Sequence, residues 1–372
     1  MRKTNVMGIV FPNAHDELMA EMTEFRSMGS IPFCSRYRII DFALSNLVNA
    51  GISKVGVITK NNYQSLMDHI GNGKAWDLSR KSSGLYFLPP YSNNEAKIYK
   101  GHVDGLFGAM SFLKNSTEKY VVMCDADVIT NINLNDMIER HVESGADITI
   151  AYKKGIMPLN HRDVMSFTLD GDKITDITFA ASDSEDCSVS LDITVMSRKL
   201  LIDIVNMGYN HNFTSLARDI YHKGLGKLDM RGYEVTEYAV VMDSPETYAK
   251  VTNEVINSPE IRQQLFNKNR PIFTKTRDDM PTIYGLDSYV NNCLIADGCV
   301  IEGTVKNSVL FRGVKIGKGA MVENAIIMQD SVIEDNADIQ YVTIDKNVTV
   351  GVGKTLRGTT VYPIYVRKNA TV

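Results

Sequence analysis

The residues whose types could do chemistry are mostly carboxylates and guanidinium groups placed near strand ends. Asp125 and Asp127 follow the apolar run Tyr120-Val121-Val122-Met123-Cys124, and Asp243 follows Val240-Val241-Met242. Carboxylate oxygens suit a hard cation such as Mg²⁺, and a carboxylate at a strand end serves equally as a turn or cap residue. Arg36-Tyr37-Arg38 joins two guanidinium groups beside Asp41, a cluster fit for an anion contact or for a structural ion pair. Cys34, Cys124, Cys187, Cys293 and Cys299 are odd in number and lack metal-site spacing, so they read as free thiols of a reducing cytoplasmic compartment. No histidine follows His222, which argues against hexapeptide acyltransferase chemistry in the last third of the chain.

The elements that must position these groups fall into two periods. In the first 250 residues, strand-like runs (Val6 to Phe11, Lys54 to Thr59, Tyr120 to Asp125, Ile148 to Tyr152) alternate with helical spacings (Ile39 to Ala50, Gly105 to Leu113, Leu134 to Ser144). This alternation predicts an α/β domain with a mainly parallel, doubly wound sheet, whose ligands sit beyond the C-terminal ends of the strands. After residue 285 the period changes. Leu310, Ile316, Val322, Ile327, Ile333, Ile339, Ile344 and Val350 recur in steps of six or five, so every seventeenth residue returns to one column, with Gly and Asn at the turns. Such a hexapeptide repeat predicts a β-helix. The boundaries are therefore 1–250, a connecting segment 251–285 carrying Pro259, Pro271 and Pro281, and 286–372. The 372 residues are 44% hydrophobic with a formal net charge of -4. That balance supplies a large core and favours neither nucleic acid nor an anionic membrane, and no run approaches the roughly 20 apolar residues of a membrane span.

Three segments carry a resemblance. Pro32-Phe33-Cys34-Ser35-Arg36-Tyr37-Arg38-Ile39-Ile40-Asp41-Phe42-Ala43-Leu44-Ser45-Asn46 resembles the PFGGKYRIIDFPLSN segment of the ADP-glucose pyrophosphorylase (glucose-1-phosphate adenylyltransferase) family. His69-Ile70-Gly71-Asn72-Gly73-Lys74-Ala75-Trp76-Asp77-Leu78 resembles its HIGxGxxWDL stretch, and Tyr99 to Phe107 its YxGTADAIY loop. The resemblance runs the length of the chain. It implies a Rossmann-like nucleotidyltransferase domain followed by a left-handed parallel β-helix, and a reaction in which glucose 1-phosphate attacks the α-phosphorus of ATP with help from Mg²⁺.

Set beside the family's motifs, the chemistry is depleted. Where the family has the glycine-rich GGGxGxRL loop, this chain reads Pro12-Asn13-Ala14-His15-Asp16-Glu17-Leu18, without a glycine run or an arginine and with two acidic residues. The family's lysine in KPAVPF falls at Met28, with Arg26 nearby as a possible replacement. Of the two family aspartates that hold Mg²⁺, one is retained as Asp127, whereas the other falls at Val241, with Asp243 two places on and so on the same face of a strand. The FVEKP sugar motif falls on Ile177 to Ser182, so both of its charged residues have become alanine. Ser190 matches the serine of SxGIY, but Asp192 takes the place of its glycine. Asp104 and Ser190 are pocket remnants on this alignment, and Arg38, with Arg36, matches the family's effector-phosphate region.

The expectation is a non-catalytic or weakly active regulatory or structural subunit, like the GlgD type that pairs with a catalytic sister chain, in a hetero-oligomer such as a tetramer. A catalytic enzyme rebuilt around Arg26, Asp127 and Asp243, and a sugar-phosphate or nucleotide sensor without chemistry, are the alternatives. Mg²⁺ belongs only to a reading that retains activity.

Overall fold

The computed structural model describes residues 5–89, 99–155, 164–179 and 187–372. The first strand, Val6–Phe11, shows why the α/β domain forms. Val6 and Val10 enter one core while Met7, Ile9 and Phe11 enter another, so the strand is buried on both faces. This is the pattern of a strand covered by helices on two sides. It pairs in parallel with Lys54–Ile58 and with Tyr120–Asp125, and Lys54–Ile58 pairs in parallel with Gly84–Leu88. In the nine-stranded sheet the order continues through Ser188–Ser197, Ile148–Lys154, Met230–Glu234, Lys173–Thr178 and Ser166–Asp170. Ser188–Ser197 runs antiparallel to both of its neighbours in this order, so the sheet is mixed beyond the first four strands. The hairpin Ser166–Asp170 with Lys173–Thr178 comes before it in the chain, where a parallel connection needs a crossover helix.

The two apolar columns are observed as such. Leu310 pairs with Ile327 and Ile327 with Ile344, while Ile316 pairs with Ile333 and Ile333 with Val350. Three five-stranded parallel sheets result, wound as the left-handed β-helix with these residues in its core.

The boundary expected at residue 250 cuts through a helix, Pro245–Asn257, and needs correction. Ser244 caps it by accepting the Thr247 N–H, with Pro245 in its first turn. A second helix, Pro259–Leu265, follows at once, capped by Ser258. The first coil of the β-helix opens at Ile283–Tyr284, three residues before the expected start. The segment expected to connect the domains is thus helical through Leu265, and from there to Ile283 it runs without helix or strand. Tyr248, Val251 and Val255 of the helix share a buried cluster with Met28, Phe33 and Phe42 of the α/β domain and with Phe311 and Met328 of the β-helix.

Candidate functional site

Phe11, Ile58 and Asp125, each at the C-terminal end of a parallel strand, line a cavity of about 320 Å³. It lies where a doubly wound sheet places its ligand. Lys60, Lys100, His102 and Arg218 also face it, and so do Glu17, Asp125, Asp192 and Asp219. His15 lines it too, so basic and acidic side chains share the wall of the cavity in similar number.

The loop after the first strand closes on itself. The Asn13 side-chain amide donates to Asp16 Oδ2 (2.7 Å) and to the Asn61 carbonyl (3.0 Å). Asp16 Oδ1 accepts the Met28 N–H at 2.7 Å, and the Pro12 carbonyl accepts the Gly29 N–H at 3.0 Å. Backbone donors of Met28 and Gly29 are therefore spent on this loop, and none is presented as a phosphate cradle by these two residues.

His15 is the residue that sequence reasoning missed. Its Nδ1 lies 2.6 Å from Asp127 Oδ2, with both side chains buried. Burial alone would push the imidazolium's pKa down. The Asp127 carboxylate, through its charge and hydrogen bond, outweighs that and raises it to about 10, with smaller help from Asp125 and Asp192. A second pair repeats the arrangement, since His102 Nε2 lies 3.0 Å from both oxygens of Asp125. Burial lowers the His102 pKa, but the Asp125 charge and hydrogen bond raise it further. Asp127 and Asp125 thus each face a histidine, and neither histidine carries a sequence signal beyond its place after a strand or before a helix.

Does this site fit Mg²⁺? His15, Asp125 and Asp127 offer ligand atoms within 4.8 Å of one another. Asp243 is not part of that cluster, although the Asp127 carbonyl accepts the Met242 N–H beside it. Asp243 lies at the helix start, where the Ser244 hydroxyl donates to it at 3.3 Å. A hard cation wants oxygen ligands and keeps much of its water. Here Asp127 is in hydrogen-bond contact with the His15 imidazole and Asp125 with that of His102, so a cation at these two carboxylates would have to compete with both histidines.

Other expected residues fall elsewhere. Met28 is 1% exposed and packs among Met19, Met22 and Ile31, away from the cavity. Arg26 is no clamp for a nucleotide. It is 2% exposed and donates through one terminal nitrogen to both Asp345 oxygens, at 2.7 and 2.9 Å, across the domain boundary. Asp104 accepts the Lys100 N–H at 3.2 Å and is not among the residues lining this cavity, whereas Lys100 is. Ser190 is fully buried and also absent from the lining, but its hydroxyl donates to Asp192 Oδ1 at 3.2 Å, and Asp192 does line the cavity. Asp192 has φ 49°, in a bulge of its strand. That conformation suits glycine, and here it turns a carboxylate toward the ligand space. Ala180, Ala181 and Ser182, the altered sugar motif, lie outside the described residues.

Arg36 and Arg38 are at the seam with the β-helix, not in the cavity. Arg38 is not bonded to the Asp41 side chain through its guanidinium. Asp41 accepts the Arg38 backbone N–H at 3.0 Å and pairs with His69 at 2.6 Å, while the guanidinium donates to the Ser65 carbonyl (2.7 Å) and hydroxyl (2.9 Å). Burial lowers the Arg38 pKa to about 10, with Arg26 and Arg277 adding repulsion. Lys346 of the β-helix is pushed down to about 6 by burial and then by Arg38 and Arg26. Arg312 is lowered by burial and by Arg277 and Arg36. The seam is thus a place where cations from both domains repel one another.

Comparison with known proteins follows the same outline. Residues 20–160 match the nucleotidyl transferase family and residues 283–357 the GlmU-like C-terminal hexapeptide family. The chain is 35% identical to glycogen biosynthesis protein GlgD of Bacillus subtilis (strain 168), over 99% of this chain and 97% of that protein. It is 36% identical to the GlgD protein of Geobacillus stearothermophilus, over 85% of this chain and 82% of the relative. Glucose-1-phosphate adenylyltransferase of Thermotoga neapolitana is 31% identical, over 86% and 76% of the two chains. Among the described residues no helix is long and apolar enough to cross a membrane.

Proposed function

The chain belongs to the family of GlgD proteins and glucose-1-phosphate adenylyltransferases, and from that premise we propose that it is a regulatory subunit of glycogen synthesis that does not catalyse adenylyl transfer by itself. The observation that carries this reading is the His15–Asp127 pair. A retained metal-type carboxylate is held by a buried imidazole whose proton is stabilised up to about pH 10. The loop that would receive phosphates is tied through Asp16 to Met28, and losing one preorganised electrostatic donor alone commonly costs about 10²–10³ in rate.

The partner is a catalytic sister chain, in a hetero-oligomer of the tetrameric kind. The cluster of Arg36, Arg38, Arg277 and Arg312, with Lys346 beside it, supports a regulatory input, since a bound phosphorylated effector would offset the repulsion among these guanidinium groups and favour the protonated form of Lys346. The cavity at the strand ends, with Lys60, Lys100 and Arg218 on its wall, supports a sugar phosphate or nucleotide bound without turnover.

The deciding experiment measures ADP-glucose formation from ATP, glucose 1-phosphate and Mg²⁺ with this chain alone, with the sister chain alone and with both. The expected result is no turnover alone and a changed rate or effector response in the mixture. Turnover by this chain alone at an enzymic rate, about 1–10³ per second, would overturn the reading. A mixture that behaves as the sum of its parts would do so as well.

A further inference from the structure

The helix Pro245–Asn257 lies along the β-helix and leaves a second cavity of about 210 Å³ between them. Its lining differs in kind from that of the first. Asn253 from the helix, Asn307 and Asn324 from the β-helix turns, and the hydroxyl residues Thr252, Thr343 and Thr359 provide neutral donors and acceptors. The only ionisable acid and base among the lining are one glutamate and one lysine, Glu246 and Lys250, so no net charge is offered to an anion.

Two independent observations point to a ligand. Thr252 is 2% exposed, and its hydroxyl has no hydrogen-bond partner among the described residues. A buried hydroxyl left unsatisfied is costly, and the large majority of such groups find a partner. Tyr341 stands in the turn column of Asn307 and Asn324, all three with positive φ, at 52°, 46° and 51°. Asn tolerates that conformation, whereas a tyrosine there is strained. The turn itself would be served by Asn or Gly, so the ring occupies this position at a conformational cost.

We propose that this groove binds a neutral hexose unit. Amides and hydroxyls match the sugar's hydroxyl edge, the Tyr341 ring matches its apolar face, and the Thr252 hydroxyl gains the partner it lacks. A free hexose and the end of a glucan chain present the same chemistry. The site is separate from the cavity at the strand ends and does not depend on the catalytic state of the chain.

The test is titration of the full-length chain with glucose and with maltotetraose, by calorimetry and by ligand-observed NMR. The variants are Thr252→Val, which keeps shape, and Asn324→Gly, which keeps the positive-φ turn. Saturable binding is expected, weakened about threefold to tenfold in each variant, the worth of a neutral hydrogen bond. Thr252→Val should lose affinity without a lower Tm, because no protein hydrogen bond is removed. Equal binding of both sugars assigns a free hexose, and binding of maltotetraose alone assigns a glucan end. Absence of binding up to about 10 mM, well above a Kd of order 1 mM, overturns the proposal. So does binding unchanged in both variants, or its complete loss when the sister chain is added, which would make the groove a subunit contact. None of these outcomes is read from ADP-glucose formation, so this inference and the regulatory reading fail separately.

Discussion

Nδ1 of His15 lies 2.6 Å from Oδ2 of Asp127, inside a protein whose relatives include adenylyltransferases. The pair makes a stability prediction as well as a functional one. Replacing His15 by Ala leaves a buried carboxylate without its imidazole, which should cost about 3–5 kcal/mol in denaturant unfolding. His15 has a native pKa of about 10, raised above its unfolded value near 6.5. Its contribution is therefore full below pH 6.5 and lost as pH rises through about 10. The difference in unfolding free energy between the parent and His15→Ala, followed from pH 6 to 10, should shrink across that window.

Restoring the family's lysine should not restore chemistry. Met28 is buried among Met19, Met22 and Ile31, so Met28→Lys puts an ammonium into an apolar seam. We expect no ADP-glucose formation and a loss of several kcal/mol, moderated only if the lysine becomes neutral. A thermal melt and the synthesis assay check both halves.

The Arg26–Asp345 pair joins the two domains and is almost wholly buried. Tyr365 Oη also donates to Asp345, at 2.7 Å. Asp345→Asn should destabilise by about 3–5 kcal/mol because it strands the guanidinium, whereas an apolar replacement of both partners together should recover most of that loss. Urea unfolding of the single and double variants tests this as a cycle.

Lys346 gives the opposite pH sign from His15. Its native pKa of about 6 lies below the ordinary value near 10.4. Between these values the unfolded chain binds more protons, so this residue makes stability rise with pH. Lys346→Met should remove that slope and stabilise the chain most at the low end of the window, as read from Tm between pH 6 and 10. In the parent, a phosphorylated anion at the seam should raise Tm more at pH 6 than at pH 8, because Lys346 is then protonated.

Period and register were legible in the sequence. The columns Leu310–Ile327–Ile344 and Ile316–Ile333–Val350 pair as their spacing requires, because inward positions of a β-helix admit little but apolar side chains. The strand bearing Asp125 and the lost phosphate loop were also legible, since each departs from a motif in residue type. What replaced the lost groups was not. His15 and His102 meet their aspartates only through the folding of separate segments, and a single histidine after a strand has no periodicity to betray it. Arg26 read as a spare cation because its partner lies 319 positions away. Helix Pro245–Asn257 carries a legible start at Ser244-Pro245, obscured by the expectation of a linker around Pro259 and Pro271.

The Asp16 carboxylate binds both the Asn13 amide and the Met28 backbone, and this double engagement bears on the history of the chain. A glycine-rich loop could return only if Asp16 and His15 were given up, and giving up either one first leaves a buried partner unsatisfied. Each single step toward such a loop therefore lowers stability before a second step can restore it. Selection for a stable fold is enough to hold the loop in this closed form, whichever function the cavity beneath it serves.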